Sequence, residues 1–451
     1  MNGATIVWFR QDLRLRDNPA LHAAVATGAP VIPIYIWSPE EEGDWAPGGA
    51  SRWWLHHSLA ALAADLRERG SRLIMANGRA TTLLKKLAAE TGATAVHWNR
   101  RYEPAAVGCA QIVSDQLRRS GIRTEEFNGT LLSDPTTFLN KSGKPYQVYT
   151  AFQRTLLHEL DPERPLPVAR SYGQPQRWPE SAPLDSFGLL PKMTWYETMA
   201  AKWKPGEAGA QESLKRFLAK SLDHYGQQRN IPSLKGTSRL SPHLHFGEIS
   251  PRQIWHALGA RGRNSTFLAE ILWREFAYHL LHHFPDTPAK PLHAEFEKFP
   301  WRRNAKLIRA WQRGSTGIPL VDAGMRELWA TGWMHNRVRM VVASFLVKNL
   351  LIRWQDGARW FWDTLVDADL ANNTLNWQWA AGCGADAAPY FRIFNPETQA
   401  KRFDPDKRYI DAWVPKVDYP NPVVDLKETR EAALDAYVTM RRAASQAAHL
   451  S

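Results

Sequence analysis

ATIVWF, at residues 4–9, is the first of five short and mostly apolar runs that decide the fold of the first part of the chain. Helical periodicity separates these runs, for example over Leu55–Arg69 and Thr81–Thr91. Because strand and helix alternate, we predict an α/β domain with a doubly wound parallel sheet, covered by helices on both faces. No G-x-G-x-x-G follows any run, so the usual dinucleotide fingerprint is absent. The other four predicted strands are VIPIYIW (31–37), RLIMA (72–76), AVHWN (95–99) and RTEEF (123–127).

The pattern changes after Phe127. From Leu131 to Gly206 the chain is proline-rich and irregular, which predicts a long connector on the surface. From Glu212 onward the periodicity is helical, and the tail after Pro422 is short and rich in alanine. We predict an α/β domain at 1–130, a connector at 131–206 and a larger all-α domain at 207–451. The clearest predicted helices of that domain are Ser213–Gln227, Thr266–His283 and Met334–Arg353.

Composition limits the classes of function. The 451 residues carry a formal net charge of +12, which fits either a polyanionic partner or an ordinary solvated basic surface. Tryptophan is unusually frequent, with 21 residues, and most of them are expected in the core. A minority could stack on bases or cofactor rings, or carry electrons.

The cysteines and the N-terminal residues bear on the compartment. Cys109 and Cys383 provide neither a disulfide framework nor the spacing of a metal site. A strand-like run follows Met1 where a secretory leader would have a long apolar segment, and no apolar stretch reaches the roughly 18 residues of a membrane span. We therefore expect a cytoplasmic protein.

Two segments in the second half combine polar and aromatic residues. Thr237-Ser238-Arg239-Leu240-Ser241-Pro242 places three hydroxyls around one guanidinium, which suits either phosphate and ribose binding or a helix cap. In FLAEILWREFAYHLL (267–281), Glu270 shares a helix face with Trp273 and lies four residues before Arg274. Glu270 is therefore expected either to form an i,i+4 ion pair or to hydrogen-bond a flipped base.

Two further segments place polar side chains on helix faces. In GWMHNRVRM (332–340), Asn336 and Met340 lie one turn apart, and the nearby arginines oppose the helix dipole unless an anion neutralises them. In VDADLANNTLNWQW (366–379), Asp369, Asn373 and Trp377 form one stripe if the segment is helical. Such a stripe suggests a bound polar ring system. No Ser-His-Asp order, P-loop or carboxylate metal site accompanies it.

These segments closely resemble the photolyase/cryptochrome family over nearly the whole chain. The resemblance rests on VWFRQDLRLRDNPAL, GTSRLSPHLHFGEISPR, WREF, TGWMHNRVRMVVASFL and DADLANNTLNWQWAAGCGADAAPYFRIFNP, which occur in the family's order. It implies an α/β antenna domain, a connector, and a helical domain that holds FAD in a U shape. It also implies a reaction in which light excites FADH⁻ and an electron passes to damaged DNA and returns.

Position by position, the resemblance implies a set of FAD contacts. The phosphate and ribityl contacts are Tyr225, Thr237, Ser238, Arg239, Leu240 and Ser241. The flavin-ring and ribose contacts are Arg339, Asp367 and Asp369, and Asn373 faces flavin N5. Asn at that position is typical of photolyases, because an amide does not deliver a proton there. The implied electron path runs from Trp377 through Trp354 to Trp301 at the surface.

The resemblance also implies a lesion pocket. The photolyases that repair (6-4) photoproducts carry two histidines at the positions of Asn336 and Met340, so a cyclobutane pyrimidine dimer is the expected substrate. The alternatives are a cryptochrome-like photoreceptor without repair activity and a nucleic-acid-binding protein with a structural flavin. The implied pocket residues are Glu270, Trp273, Asn336, Met340 and Trp379, and the implied DNA contacts are Arg229, Arg337 and Gln399.

An antenna chromophore is expected in the first domain. The stretch PEEEGDWAPGGASRWWLHHSL (39–59) resembles plant cryptochromes and the photolyases nearest to them, which favours methenyltetrahydrofolate over deazaflavin. Two departures from relatives are the missing acidic residue after Tyr102-Glu103 and Phe267, where some relatives carry Trp. The expected partner is UV-damaged DNA, with no membrane, no metal and no obligate protein partner, and the protein is expected to be a monomer.

Overall fold

The computed structural model describes residues 3–191, 196–387 and 391–449. Its sheet has the order β3-β2-β1-β4-β5, and all neighbouring strands are parallel. All residues of the three central strands are buried, because helices cover both faces, whereas the edge strand RTEEF is polar and partly exposed. The predicted α/β architecture is confirmed. The strands are β1 Thr5–Phe9, β2 Val31–Trp37, β3 Ile74–Asn77, β4 Ala95–Asn99 and β5 Arg123–Phe127.

Helices make up most of the rest of the chain. The helices between the strands are α1 Pro19–Ala26, α2 Gly49–Glu68, α3 Ala80–Thr91 and α4 Pro104–Arg119, and α5 Tyr149–Glu159 and α6 Glu197–Ala200 follow the sheet. The helical domain contains α7 Glu207–Lys220, α8 Tyr225–Gln228, α9 Ser241–His245, α10 Pro251–Gly262, α11 Thr266–His283, α12 Ala305–Gln312, α13 Pro319–Thr331, α14 Asn336–Ser344, α15 Trp354–Thr364, α16 Leu370–Ala381, α17 Pro396–Phe403, α18 Arg408–Trp413 and α19 Leu426–His449.

The connector is less irregular than predicted. Its residues YTAFQRTLLHE form α5, which buries Tyr149, Phe152 and Leu156 against α11. These three residues follow helical spacing, but the proline-rich flanks obscure the pattern.

The tail after Pro422 is also more ordered than expected, because it forms the 24-residue helix α19.

Two of the three helices predicted in the second domain have the wrong extent. The predicted helix Ser213–Gln227 ends at Lys220, and a short turn separates it from α8. The predicted helix Met334–Arg353 begins at Asn336, because the His335 imidazole accepts a hydrogen bond from the Arg337 amide and caps the first turn. It leaves α-helical geometry after Ser344 in a π-turn over Phe345–Asn349.

Buried polar contacts join the sheet to the helical domain. Asp17 is fully buried, accepts a hydrogen bond from Ser250 Oγ at 2.5 Å and pairs with Arg252 at 2.6 Å. Trp54 Nε1 of α2 donates to the Glu248 carboxylate at 2.9 Å. These contacts fix the sheet edge beside the helices that carry the candidate site. Within the described ranges, the helices are all too short or too polar to cross a membrane.

Candidate flavin and DNA-lesion site

Helix α16 carries the predicted polar stripe. Asp369 caps it: Oδ1 accepts from Asn372 N at 2.8 Å, and Oδ2 accepts from the Tyr278 hydroxyl at 2.5 Å. One turn on, the half-buried Asn373 donates from Nδ2 to Ala358 O of α15 at 3.0 Å. The stripe is thus helical, as predicted, and its first member is held inside the protein.

Close packing between α15 and α16 positions Trp377. A Cβ added to Gly357 would lie 2.1 Å from the Trp377 ring, so only glycine allows this approach. Trp377 is 2% exposed and packs edge-on against Phe361, with 5.0 Å between ring centroids, and against Trp311 at 6.2 Å. The Trp377 ring is therefore held in one orientation, on the same helix as Asn373.

The other two tryptophans of the predicted path lie in the same hydrophobic cluster. Trp354 is 1% exposed and begins α15, whereas Trp301 is half-buried. The backbone joins their segments, because the Arg302 amide donates to Leu351 O at 2.7 Å. Trp377 and Trp354 are thus both buried, and only Trp301 reaches the solvent.

A cationic cluster surrounds Trp333. Arg239 adopts a φ of 54°, and its guanidinium carbon lies 4.4 Å from the Trp333 ring centroid. The Arg339 guanidinium lies 5.8 Å from the same ring and donates to both Asp367 oxygens at 3.1 and 2.9 Å. Two guanidiniums around one indole form a site that suits an anion. Trp333 was not among the predicted cofactor contacts.

His335 adds a buried donor to this cluster. Because its Nδ1 accepts from the Arg337 amide at 3.2 Å, the neutral ring carries its proton on Nε2. Burial, followed by the charges of Arg239 and Arg339, lowers the pKa of His335 to about 3, so the ring is neutral. In the described part of the chain, Nε2 is buried without a hydrogen-bond partner. An unpaired buried donor beside two guanidiniums fits an oxygen-rich anionic group such as the diphosphate of FAD.

The predicted phosphate-binding residues lie next to this cluster. Thr237 and Ser238 are half-buried, Ser241 is exposed at the start of α9, and the Ser238 hydroxyl accepts from the Leu240 amide at 3.3 Å. Tyr225 begins α8 and packs edge-on against Phe267, with ring centroids 5.4 Å apart. Ser241 opens a helix, but no side chain of the segment caps it, so the helix-cap interpretation is wrong.

The predicted lesion-pocket residues are a second group. The expected i,i+4 pair between Glu270 and Arg274 is absent: Glu270 pairs with Arg229 at 2.7 Å, while the buried Arg274 donates to Thr130 O at 3.0 Å. Burial raises the pKa of Glu270, and Arg229 only partly opposes this shift. Trp273 stacks on Tyr149, with ring centroids 3.6 Å apart and planes at 10°. Glu270 therefore holds its proton to a higher pH than an ordinary glutamate does.

The remaining predicted contacts border this group. Arg337 donates to Asn230 Oδ1 at 2.6 Å and lies 3.7 Å from the Met340 sulfur, whereas Asn336 is exposed. Trp379 packs against Phe394, with centroids 5.9 Å apart. The Oε1 atom of Gln399 is buried and accepts no hydrogen bond from a described residue. Residues 388–390 of the last motif lie outside the described ranges.

Comparison with known proteins identifies the family. The model for DNA photolyase matches residues 5–170, and the model for the FAD binding domain of DNA photolyase matches residues 267–418. A deoxyribodipyrimidine photo-lyase from Agrobacterium fabrum is 46% identical over 97% of this chain and 98% of its own length. The chain belongs to the DNA photolyase family. The predicted family is therefore confirmed, and an FAD-binding domain is present.

Two more relatives of this photolyase-family chain show its range. The crystal structure of a bacterial class III photolyase from Agrobacterium tumefaciens has a TM-score of 0.93 and 45% identity, and the match covers 98% of each chain. Cryptochrome-1 from Arabidopsis thaliana is 38% identical over 92% of this chain and 63% of its own length. The family therefore includes repair enzymes and cryptochromes, and the site residues must distinguish between these functions.

Proposed function

We propose that the protein splits cyclobutane pyrimidine dimers in UV-damaged DNA in a light-driven reaction that depends on FAD. The observation that carries this proposal is that α14 carries Asn336 and Met340 and not two histidines. Arg337 of the same helix donates to Asn230, which directly follows Arg229 of the Glu270–Arg229 pair. Neither Asn336 nor Met340 transfers a proton, which a (6-4) photoproduct requires. Splitting a cyclobutane dimer needs an electron from the cofactor and a pocket of the right shape. It needs no proton transfer from Asn336 or Met340, so these side chains suit that substrate.

FAD would be held by the cluster around Trp333 and by α16. Arg239, with Thr237 and Ser238, would bind the diphosphate, and His335 would add a donor to it. Arg339, Asp367 and Asn373 would contact the flavin ring, and the Asn373 amide cannot deliver a proton to flavin N5. When bound and reduced, FAD supplies the electron that light excites.

Damaged DNA would bind at the Arg229 and Arg337 side of the pocket. Their guanidiniums would contact phosphates, so affinity should fall steeply with salt. The dimer would be flipped into the pocket, where Trp273 and Trp379 pack against it. When Arg229 turns to a phosphate, Glu270 loses its counterion and its pKa rises further. The protonated carboxyl group then donates a hydrogen bond from its O–H to a pyrimidine carbonyl oxygen.

We also propose that the antenna chromophore binds at the carboxyl edge of the sheet. The strand order changes direction between β1 and β4, and ligands of doubly wound sheets bind at such a point. A cleft opens there, with Trp37, Trp45 and Trp362 among its walls. Arg10 Nε and Ser38 Oγ line the same cleft and are buried without partners among the described residues. We propose methenyltetrahydrofolate as the occupant, and the absorption spectrum of the released chromophore will distinguish it from deazaflavin.

One experiment tests the repair function directly. The purified, reduced protein is illuminated with blue light in the presence of oligothymidylate that contains either cyclobutane dimers or (6-4) photoproducts. We expect intact thymines from the first substrate and none from the second. Restoration of the (6-4) substrate alone would contradict our substrate assignment, and restoration of neither would favour a photoreceptor.

A substitution at His335 tests the FAD site. Asn retains an oxygen that can cap α14 but lacks the distant N–H. His335→Asn should therefore weaken FAD binding about 10- to 100-fold, because a hydrogen bond to a charged acceptor contributes roughly 1.5–3 kcal/mol. Flavin fluorescence measures the Kd, and thermal unfolding of the FAD-free protein controls for lost packing. Equal losses in FAD affinity and apoprotein stability would show that His335 is only structural.

A further inference from the structure

A strongly basic surface surrounds α12, in a segment separate from α8 and α14, which carry the predicted DNA contacts Arg229 and Arg337. Arg302 and Arg303 precede α12, Lys306 and Arg309 lie on it, and Arg313 follows its last turn; all five are exposed. Between residues 295 and 313 the sequence has six basic and two acidic side chains. We give the name α12 basic face to the five exposed residues Arg302, Arg303, Lys306, Arg309 and Arg313.

The geometry of α12 separates its charges from its apolar residues. Asn304 caps the helix by accepting from the Lys306 and Leu307 amides at 3.1 Å. Trp311 is 1% exposed, and Leu307 and Ile308 pack against the same core cluster. The basic side chains therefore lie on the opposite, solvated side of the helix.

Within the described ranges, the five basic side chains have no acidic partner in direct contact. Across the described residues, none of the five side chains forms an ion pair or a hydrogen bond. Of the two nearby acidic residues, Glu295 pairs with Arg441 at 3.2 Å, and Glu297 belongs to the preceding turn. Because these positive charges are close together and unpaired, they repel one another and produce a positive potential. This potential attracts anions.

The α12 basic face begins where the predicted electron path reaches the surface. Trp301 immediately precedes Arg302, is half-buried and contacts Phe299, with ring centroids 4.4 Å apart. Arg302 also forms a parallel bridge with Ile352, two residues before the buried Trp354. Solvated basic surfaces are common in proteins. This one lies next to Trp301, where the predicted electron path reaches the surface, so its charge can act on molecules that react there.

We propose that the α12 basic face attracts a small anionic one-electron reductant to Trp301. This inference rests on the proposed path Trp377–Trp354–Trp301. When an electron moves inward from Trp301, an oxidised tryptophan radical remains there. The donor then gives one electron to this radical, so that Trp301 is reduced and the donor is oxidised by one electron. No bond is formed or broken at the surface, and the oxidised donor diffuses away.

The test compares two donors of opposite charge, ferrocyanide and hexaammineruthenium(II), with the FAD-loaded protein. Transient absorption measures the rate at which each donor removes the tryptophan radical after a flash. At low ionic strength, Arg303→Glu/Lys306→Glu should lower the ferrocyanide rate by roughly 10-fold and raise the hexaammineruthenium(II) rate. High salt should remove both effects, because exposed charges are then screened.

A matched control reverses the same number of charges elsewhere. Lys85→Glu/Arg119→Glu changes two exposed residues of α3 and α4 and should leave both rates within about 2-fold. If the α12 variant changes neither rate, or the control changes them equally, the inference is overturned. If the α12 variant instead weakens binding of undamaged duplex DNA at unchanged rates, the face belongs to DNA.

A third variant separates this inference from the proposed function. Trp301→Phe should remove the long-lived radical signal altogether. If photoreduction of FAD proceeds normally in Trp301→Phe, the electron path itself is wrong. If Trp301→Phe behaves as expected but charge reversal has no effect, only the docking of the anionic donor is refuted.

Discussion

Trp377→Phe is expected to slow photoreduction of oxidised FAD by at least about 100-fold while leaving repair by chemically reduced protein within about 2-fold. A phenyl ring is much harder to oxidise than an indole, so the inner step of the path fails. The cluster should tolerate the change, because Phe keeps an aromatic ring at this site and single substitutions typically cost about 0.5–3 kcal/mol. Blue-light reduction of the flavin absorbance band and thymine restoration are measured on the same preparation.

Trp311 provides the matched control for this prediction. It is 1% exposed, contacts Trp377 and donates from Nε1 to Val342 O at 3.2 Å, but it lies outside the proposed path. Trp311→Phe should therefore reduce stability by a comparable amount and leave photoreduction nearly unchanged. If Trp311→Phe blocks photoreduction and Trp377→Phe does not, the electrons travel through Trp311.

The sequence predicts best those features that short-range spacing determines. Helix α11 has the predicted bounds, Thr266–His283, because Ser265 caps it and its apolar residues recur at helical spacing. The π-turn at Phe345–Asn349 was missed, since it depends on how this turn packs against α16 and α19 and leaves no mark on local periodicity.

The partners of charged residues were harder to predict. Glu270 has an arginine four residues ahead, yet its partner is Arg229, 41 residues earlier in the chain, because Arg274 is buried and bonded to Thr130 O. His335 was overlooked for a related reason: only the structure shows that Nδ1 is engaged and Nε2 is left without a partner among the described residues. A single histidine in GWMHNR carries no such information.

The site thus separates two tasks. The cluster around Trp333 combines guanidiniums with a neutral His335, which suits a permanently bound anion. The Glu270–Arg229 pair is partly exposed, and in our proposal the two side chains separate when DNA binds, which suits a transient ligand. Substitutions in the first group should therefore alter flavin content, and substitutions in the second should alter repair at constant flavin content.

Glu270→Ala tests the second half of this division. Loss of a hydrogen bond that contributes about 1.5–3 kcal/mol should lower the repair yield about 10- to 100-fold. FAD content should remain normal, and affinity for undamaged DNA should not fall, because Arg229 is freed to bind phosphate. Repair yield, flavin absorbance and salt-dependent DNA binding are measured together. Loss of FAD would show that Glu270 supports the fold of the cofactor site.

Glu270→Gln separates the two protonation states of this carboxyl group. If Glu270 acts as a neutral donor, the glutamine amide replaces it and repair stays within about 5-fold of the natural protein. Because burial raises the pKa of Glu270, the natural protein should lose repair yield as the pH rises through that pKa, whereas Glu270→Gln should not. If Glu270→Gln is as inactive as Glu270→Ala, the group works as a carboxylate, and its pairing with Arg229 must then persist when DNA is bound.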